Sequence, residues 1–214
     1  MCGRYYVDRE MTEEVFRDLE KSSPSHLHSI KKERVAAVED TLTEAVRQGD
    51  VRPTDRALVV ATEKESSRDR IYLTQQVWGY PNTYGKGVII NARAETVQEK
   101  KMFHKGFCSH RVLIPARHFY EWSSRKELYT FERKDTRVLY LAGIADTFQK
   151  EPCFVILTTA ANASVSAVHD RMPLILEKNQ LQDWLWDETA AKALLSQKPV
   201  QLNSYTEYEQ MSFF

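Results

Sequence analysis

Cysteine, glycine and proline are all scarce in this chain, at three, seven and seven residues of 214. The three cysteines, Cys2, Cys108 and Cys153, are odd in number and far apart, which excludes a disulfide framework and indicates a reducing compartment. Cys108, His110 and Cys153 also lack the paired spacing of a zinc site, so no metal and no other cofactor is expected. Excess charge is absent as well: thirty basic residues balance thirty acidic ones. A neutral chain exerts no global pull on nucleic acid, so any DNA binding must rest on a local basic face. No run of about 18 apolar residues occurs, which leaves no candidate membrane helix. The opening Met-Cys-Gly-Arg-Tyr-Tyr-Val contains no apolar secretory core. Internal repeats, low-complexity tracts and linkers are missing too. The expectation is a single cytoplasmic domain over 1–214 with no membrane partner, its 42% hydrophobic content enough to bury a core.

What the sequence does have is a cysteine directly after the initiator methionine. Once Met1 is clipped, residue 2 carries two nucleophiles, a thiol with a reference pKa of roughly 8.5 and an α-amine near roughly 8. Such a residue can attack one aldehyde twice: the amine forms an imine, and the thiol adds to the same carbon to close a five-membered thiazolidine. An internal cysteine has no free amine and cannot do this. The plainer alternative is that Cys2 is the second residue of an unstructured terminus.

Along the chain, 2–7 reads as a short strand leading to Asp8, which can cap a helix bearing Met11, Val15, Phe16 and Leu19 on one face. A polar loop is expected over 21–30, with His26 and His28 solvated rather than metal-bound. A second amphipathic helix would carry Val35, Val38, Leu42 and Val46, with Gly49 as its stop. The pattern then turns to strands at 57–61 and 71–78, joined by a charged turn over 63–70, and a glycine-bearing loop leads to a buried strand at 88–90. Polar residues 91–96 close that strand and open a helix near Glu95 that includes Val97, Lys101 and Lys105. Further strands are expected at 111–115, 129–131, 138–142 and 153–158. A short helix is expected from about Asn162, a strand at 174–176, helices around Leu181, Trp184, Leu185 and then Ala191, Leu194, Leu195, and a last strand at 200–205.

Two polar segments have chemical promise of their own. In His118-Phe119-Tyr120-Glu121-Trp122 a glutamate between tyrosine and tryptophan would be poorly hydrated, raising its pKa and suiting it to acid/base work; the alternative is an exposed glutamate at a strand end. In His169-Asp170-Arg171 a histidine beside an aspartate could carry a proton, or the segment could be a structural turn held by Asp170 and Arg171.

Four separated signals coincide: Met-Cys-Gly-Arg at the start, Asn-Ala-Arg-Ala-Glu-Thr at 91–96, Phe-Tyr-Glu-Trp at 119–122 and His-Asp-Arg-Met-Pro at 169–173. In order and spacing they resemble the SOS-response-associated peptidase (SRAP) family of abasic-site-processing proteins, over essentially the whole chain. The resemblance implies an α+β single domain whose mixed, mostly antiparallel sheet curls into a barrel-like core with peripheral helices. It implies a covalent trap, in which Cys2 forms a thiazolidine with the ring-opened sugar of an abasic site in single-stranded DNA. Asn91 would orient the amine and the sugar, Glu121 would act as acid/base, and His169 would stabilise the opened sugar and assist proton transfer in cross-linking and its reversal. Arg4, Arg93 and Lys101 would contact phosphates, Trp78 and Trp122 would stack on or prop apart bases, and Pro53 and Thr158 would be further DNA contacts. Many members carry a second tryptophan after the first Trp-Gly, whereas 80–87 here is short and holds Tyr84. The implied partner is abasic single-stranded DNA, including junctions with duplex, and the implied state is a monomer.

Two other function classes fit parts of the pattern. An amidohydrolase with an N-terminal cysteine nucleophile would use Cys2 on an amide with its own amine as base. A non-catalytic single-strand-binding module would use the basic and aromatic residues alone.

Overall fold

In the computed structural model the chain is described over residues 2–22, 48–64, 69–83 and 85–206. In chain order the strands are β1 (Tyr5–Val7), β2 (Gly49–Val51), β3 (Arg56–Lys64), β4 (Asp69–Trp78), β5 (Tyr80–Pro81), β6 (Val88–Ile89), β7 (Asn91–Arg93) and β8 (Arg111–Ala116). They continue with β9 (His118–Trp122), β10 (Leu128–Glu132), β11 (Leu139–Phe148), β12 (Glu151–Ala160), β13 (Arg171–Pro173), β14 (Ile175–Leu176) and β15 (Asn203–Thr206). The described helices are α1 (Arg9–Ser22), α2 (Lys101–Ser109), α3 (Leu181–Trp186) and α4 (Glu188–Leu194).

Strands β12, β4, β3, β8 and β11 pair in succession, and β11 pairs back onto β12, closing a barrel. Only the β12–β4 contact in that ring is parallel. The core is the barrel interior: all of β8 is buried, as is β11 from Leu139 to Ala145. Gly143 is required there, because a Cβ would lie 2.2 Å from Ile114 Cδ1 and 2.9 Å from the Val155 carbonyl oxygen of the paired strand. We therefore expect Gly143→Ala to cost about 1–3 kcal/mol by overpacking, read as a lowered urea midpoint with an unchanged slope.

A second, antiparallel sheet in the order β15-β10-β9-β1-β2 carries the start of the chain. Asp8 caps α1 as expected, its Oδ1 accepting from Met11 N–H at 2.7 Å. The helix buries Met11, Val15 and Leu19, while Phe16 stays half-buried. Asp18 then ties the helix to the barrel by accepting from the Tyr140 hydroxyl at 2.9 Å and from Lys178. At the other side α3 is pinned to β8: Trp184 Nε1 donates to Val112 O at 3.0 Å, and Arg111 Nε donates to Trp184 O at 2.6 Å.

The architecture is thus the expected α+β arrangement with a mixed, mostly antiparallel, barrel-like core, but several local expectations are corrected. Gly49 starts a strand paired with β1. Residues 88–90 are half-buried rather than buried, and 91–93 form a strand parallel to β12. The helix expected from Glu95 begins at Lys101, because Glu95 is held by Arg171 across the strand ends and 94–96 make only one tight turn. From Asn162 the chain makes turns, with Asn162 Oδ1 accepting from Ser164 N–H, instead of a helix. Residues 171–173 are a strand of their own beside β12. His26, His28 and the helix expected over Val35 to Val46 lie outside the described residues, as do 65–68 of the charged turn and Tyr84.

Candidate active site

Cys2 is fully buried at the mouth of β1. Its carbonyl accepts from Asn91 Nδ2 at 2.9 Å. Asn91 heads β7, whose parallel register on β12, Asn91 opposite Ile156, fixes where that amide points. Asn91 Oδ1 is buried and has no hydrogen-bond partner among the described residues.

Strand β9 brings Glu121 to the same place. Tyr5 pairs with Phe119, and one step beyond the ladder Tyr120 N–H donates to Arg4 O at 3.0 Å, so Glu121 runs alongside the first residues of the chain. Its carboxyl is buried, and burial pushes its pKa up, with the His169 ring acting in the opposite sense. The Cys2 thiol is also pushed well up, first by burial and then by the Glu121 charge. Glu121 is therefore within electrostatic reach of both Cys2 and His169, although the three come from segments far apart in sequence.

His169 Nδ1 accepts from Arg171 N–H at 2.9 Å, so the neutral ring carries its proton on Nε2. Asp170 Oδ1 also lies 2.9 Å from Nδ1. Arg171 clamps the surroundings. Its guanidinium forks onto Glu95 at 2.5 and 2.8 Å, and Nη2 donates to Thr158 O at 2.6 Å. The Arg171 fork in turn holds the Glu95 carboxyl below its ordinary range. Arg171, at the start of β13, thus anchors this segment, and His169 stands two residues before it.

Of the remaining expected residues, Arg93 and Lys101 are exposed, Pro53 is half-buried, and Trp122 exposes 42% of its surface. Arg4 packs its guanidinium over the Tyr120 ring, 4.4 Å from the centroid, and ion-pairs with Asp50. Two expectations are corrected. Trp78 is fully buried, with Nε1 donating to Ile90 O at 3.0 Å and its ring against Tyr5 and Phe154, so it offers no face to a base. Thr158 is fully buried beneath Arg171, its Oγ1 3.4 Å from Nη2, and contributes to the wall of the site rather than to a surface.

Sequence reasoning missed Asp50, Tyr5 and the Glu95–Arg171 clamp. The clamp had a signal, since Glu95 and Arg171 sit inside two of the quoted motifs. Asp50 had none, because only the β1–β2 pairing brings it beside Arg4, and Tyr5, next to Arg4 in the chain, had nothing local to mark its hydroxyl.

A sequence model described as SOS response associated peptidase (SRAP) matches residues 1–212. Among curated proteins the chain is 32% identical over 150 residues to "Abasic site processing protein YoaM" of Bacillus subtilis (strain 168), 64% of either chain. It is 28% identical over 157 residues to "Abasic site processing protein YedK" of Escherichia coli (strain K12), covering 70% of this chain and 69% of that one. The first of these matches spans less than two thirds of the relative's length. In fold, the chain superposes on crystal structures of a Bacteroides thetaiotaomicron protein and a Bordetella bronchiseptica protein, each with a TM-score of 0.68. Those superpositions cover 96% of this chain at 20% and 19% identity, and 91% and 99% of the two proteins.

Proposed function

The chain belongs to the SOS response associated peptidase family, and on that premise we propose that it captures abasic sites in single-stranded DNA as a covalent thiazolidine on Cys2. The observation that carries the reading is the convergence of a terminal thiol, the Asn91 amide, the Glu121 carboxyl and the His169 ring from separate segments.

Removal of Met1, the self-processing to which we assign the peptidase name, frees the amine of residue 2. Burial keeps the thiol protonated, so the amine attacks first. A closed abasic sugar presents little aldehyde, and Glu121, whose burial favours its protonated form, passes a proton to the ring oxygen and takes up the proton of the C1′ hydroxyl as the ring opens. The amine adds to C1′, water leaves as the imine forms, and the thiol sulfur adds to the same carbon while its proton passes to nitrogen. The net change is loss of one water. Asn91 holds the backbone of residue 2 throughout, and His169 Nε2–H hydrogen-bonds the opened sugar and assists proton transfer in cross-linking and its reversal.

Arg93 and Lys101 contact phosphates, and Trp122 offers a base the face that Trp78 does not. Stacking supplies roughly 1–3 kcal/mol per base, so a few phosphate contacts suffice despite net neutrality. Arg4 joins them when a phosphate displaces Asp50. The protein would work as a cytoplasmic monomer, on single strands and their junctions with duplex. Among the described residues no helix is long and apolar enough to cross a membrane.

Incubation with an abasic single-stranded oligonucleotide tests the reading: a protein–DNA adduct that survives denaturing electrophoresis is expected. Turnover of a simple amide without any adduct would favour the N-terminal-nucleophile amidohydrolase instead.

A further inference from the structure

The hydroxyl of Tyr5 is fully buried and has no hydrogen-bond partner among the described residues. Desolvating a phenol without a partner costs free energy that phenylalanine at the same place would not incur. Strand pairing and ring packing place the Tyr5 ring between two segments of the site. Tyr5 pairs with Phe119, and since alternate residues share a face, Tyr5 and Glu121 look to the same side of the sheet. On its other flank the ring packs at 5.1 Å against Trp78, whose indole N–H is fixed to Ile90 O, the residue before Asn91. The phenol is thus bracketed by the Glu121 and Asn91 sides of the site, with the Cys2 thiol and the Asp55 carboxylate within electrostatic reach. Asn91 Oδ1 is a second buried polar atom without a partner there.

We propose that Tyr5 is a catalytic residue, its O–H donating a hydrogen bond to the C1′ oxygen of the bound abasic sugar. This rests on the reading of Cys2 as the cross-linking residue. As the residue 2 nitrogen bonds to C1′, the carbonyl π pair moves onto oxygen, and the Tyr5 hydrogen bond holds that charge. The oxygen takes the proton released by nitrogen and, with a second proton from Glu121, leaves as water, and the iminium nitrogen returns one proton to the Glu121 carboxylate to give the imine. Tyr5 itself is unchanged at the end.

The test is Tyr5→Phe, compared with wild type in single-turnover cross-linking to an abasic single-stranded oligonucleotide, in noncovalent binding to the same oligonucleotide with an intact base, and in thermal unfolding. The expected result is a cross-linking rate constant lowered about tenfold, the worth of one neutral hydrogen bond. Affinity for the intact strand stays within twofold, and the Tm is equal or higher because an unpaired buried hydroxyl is gone. Equal cross-linking rates, or a fall in Tm of several degrees, would overturn the assignment while leaving the Cys2 reading in place. No adduct from the wild type would overturn both.

Discussion

Cys2→Ala is expected to abolish covalent capture, with no adduct on a denaturing gel even after incubations many half-lives long for the wild type. The size of the effect follows from the chemistry: alanine keeps the amine, which forms only an imine, and an imine without the neighbouring sulfur hydrolyses on dilution. Alanine in place of a buried thiol that is held mainly by one weak contact, Sγ–H to Arg4 O at 3.8 Å, should leave the fold intact. Noncovalent binding of single-stranded DNA should survive, because Arg93, Lys101 and Trp122 are untouched. Trapping the imine with borohydride would recover a linkage in this variant and show that the amine attacks first. A gel-stable adduct without reductant would assign the linkage to another residue.

Glu121→Gln is expected to slow adduct formation by about 100-fold, the lower end of what a positioned acid contributes. Its pH dependence gives the sharper signature. Burial raises the Glu121 pKa, so the wild-type carboxyl keeps its proton to higher pH than a free glutamate, and the rate should fall as pH rises through that value. The residue 2 amine, with an ordinary pKa near roughly 8, gains its lone pair over the same direction, so the wild-type profile is bell-shaped. Glutamine removes the alkaline limb. The stability effect has the opposite sense to the rate effect. A folded-state pKa above the unfolded one means that wild-type stability is lost as pH rises through the folded pKa, so Glu121→Gln should unfold at an equal or higher temperature than wild type above that point. A variant that is slower and less stable alike would mark Glu121 as structural.

How much of this was legible in the sequence depends on how local the cause is. The α1 cap at Asp8, the apolar stripe of Met11, Val15 and Leu19, and the buried runs in β8 and β11 are set by neighbours within a turn or a strand, and they read directly. The helix placed at Glu95 failed because its carboxylate is taken by Arg171 from a distant segment, a tertiary bond that local periodicity cannot register. Trp78 was assigned to base stacking by the family resemblance. In this chain the parallel β4–β12 pairing buries its ring against Phe154. Glu121 was visible as a carboxyl between aromatics and His169 as a histidine beside Asp170 and Arg171, and the role of Asn91 came from the resemblance; their placement was not visible, since it follows from the β1–β9, β7–β12 and β12–β13 registers.

The central claim is most directly tested by mass spectrometry of the purified protein before and after reaction with an abasic single-stranded oligonucleotide. The account predicts a free protein lacking Met1, and, after nuclease and protease digestion, an N-terminal peptide whose residue 2 carries the sugar remnant with the loss of one water. A retained Met1 in protein that nonetheless cross-links, or a remnant attached to any other residue, would contradict it.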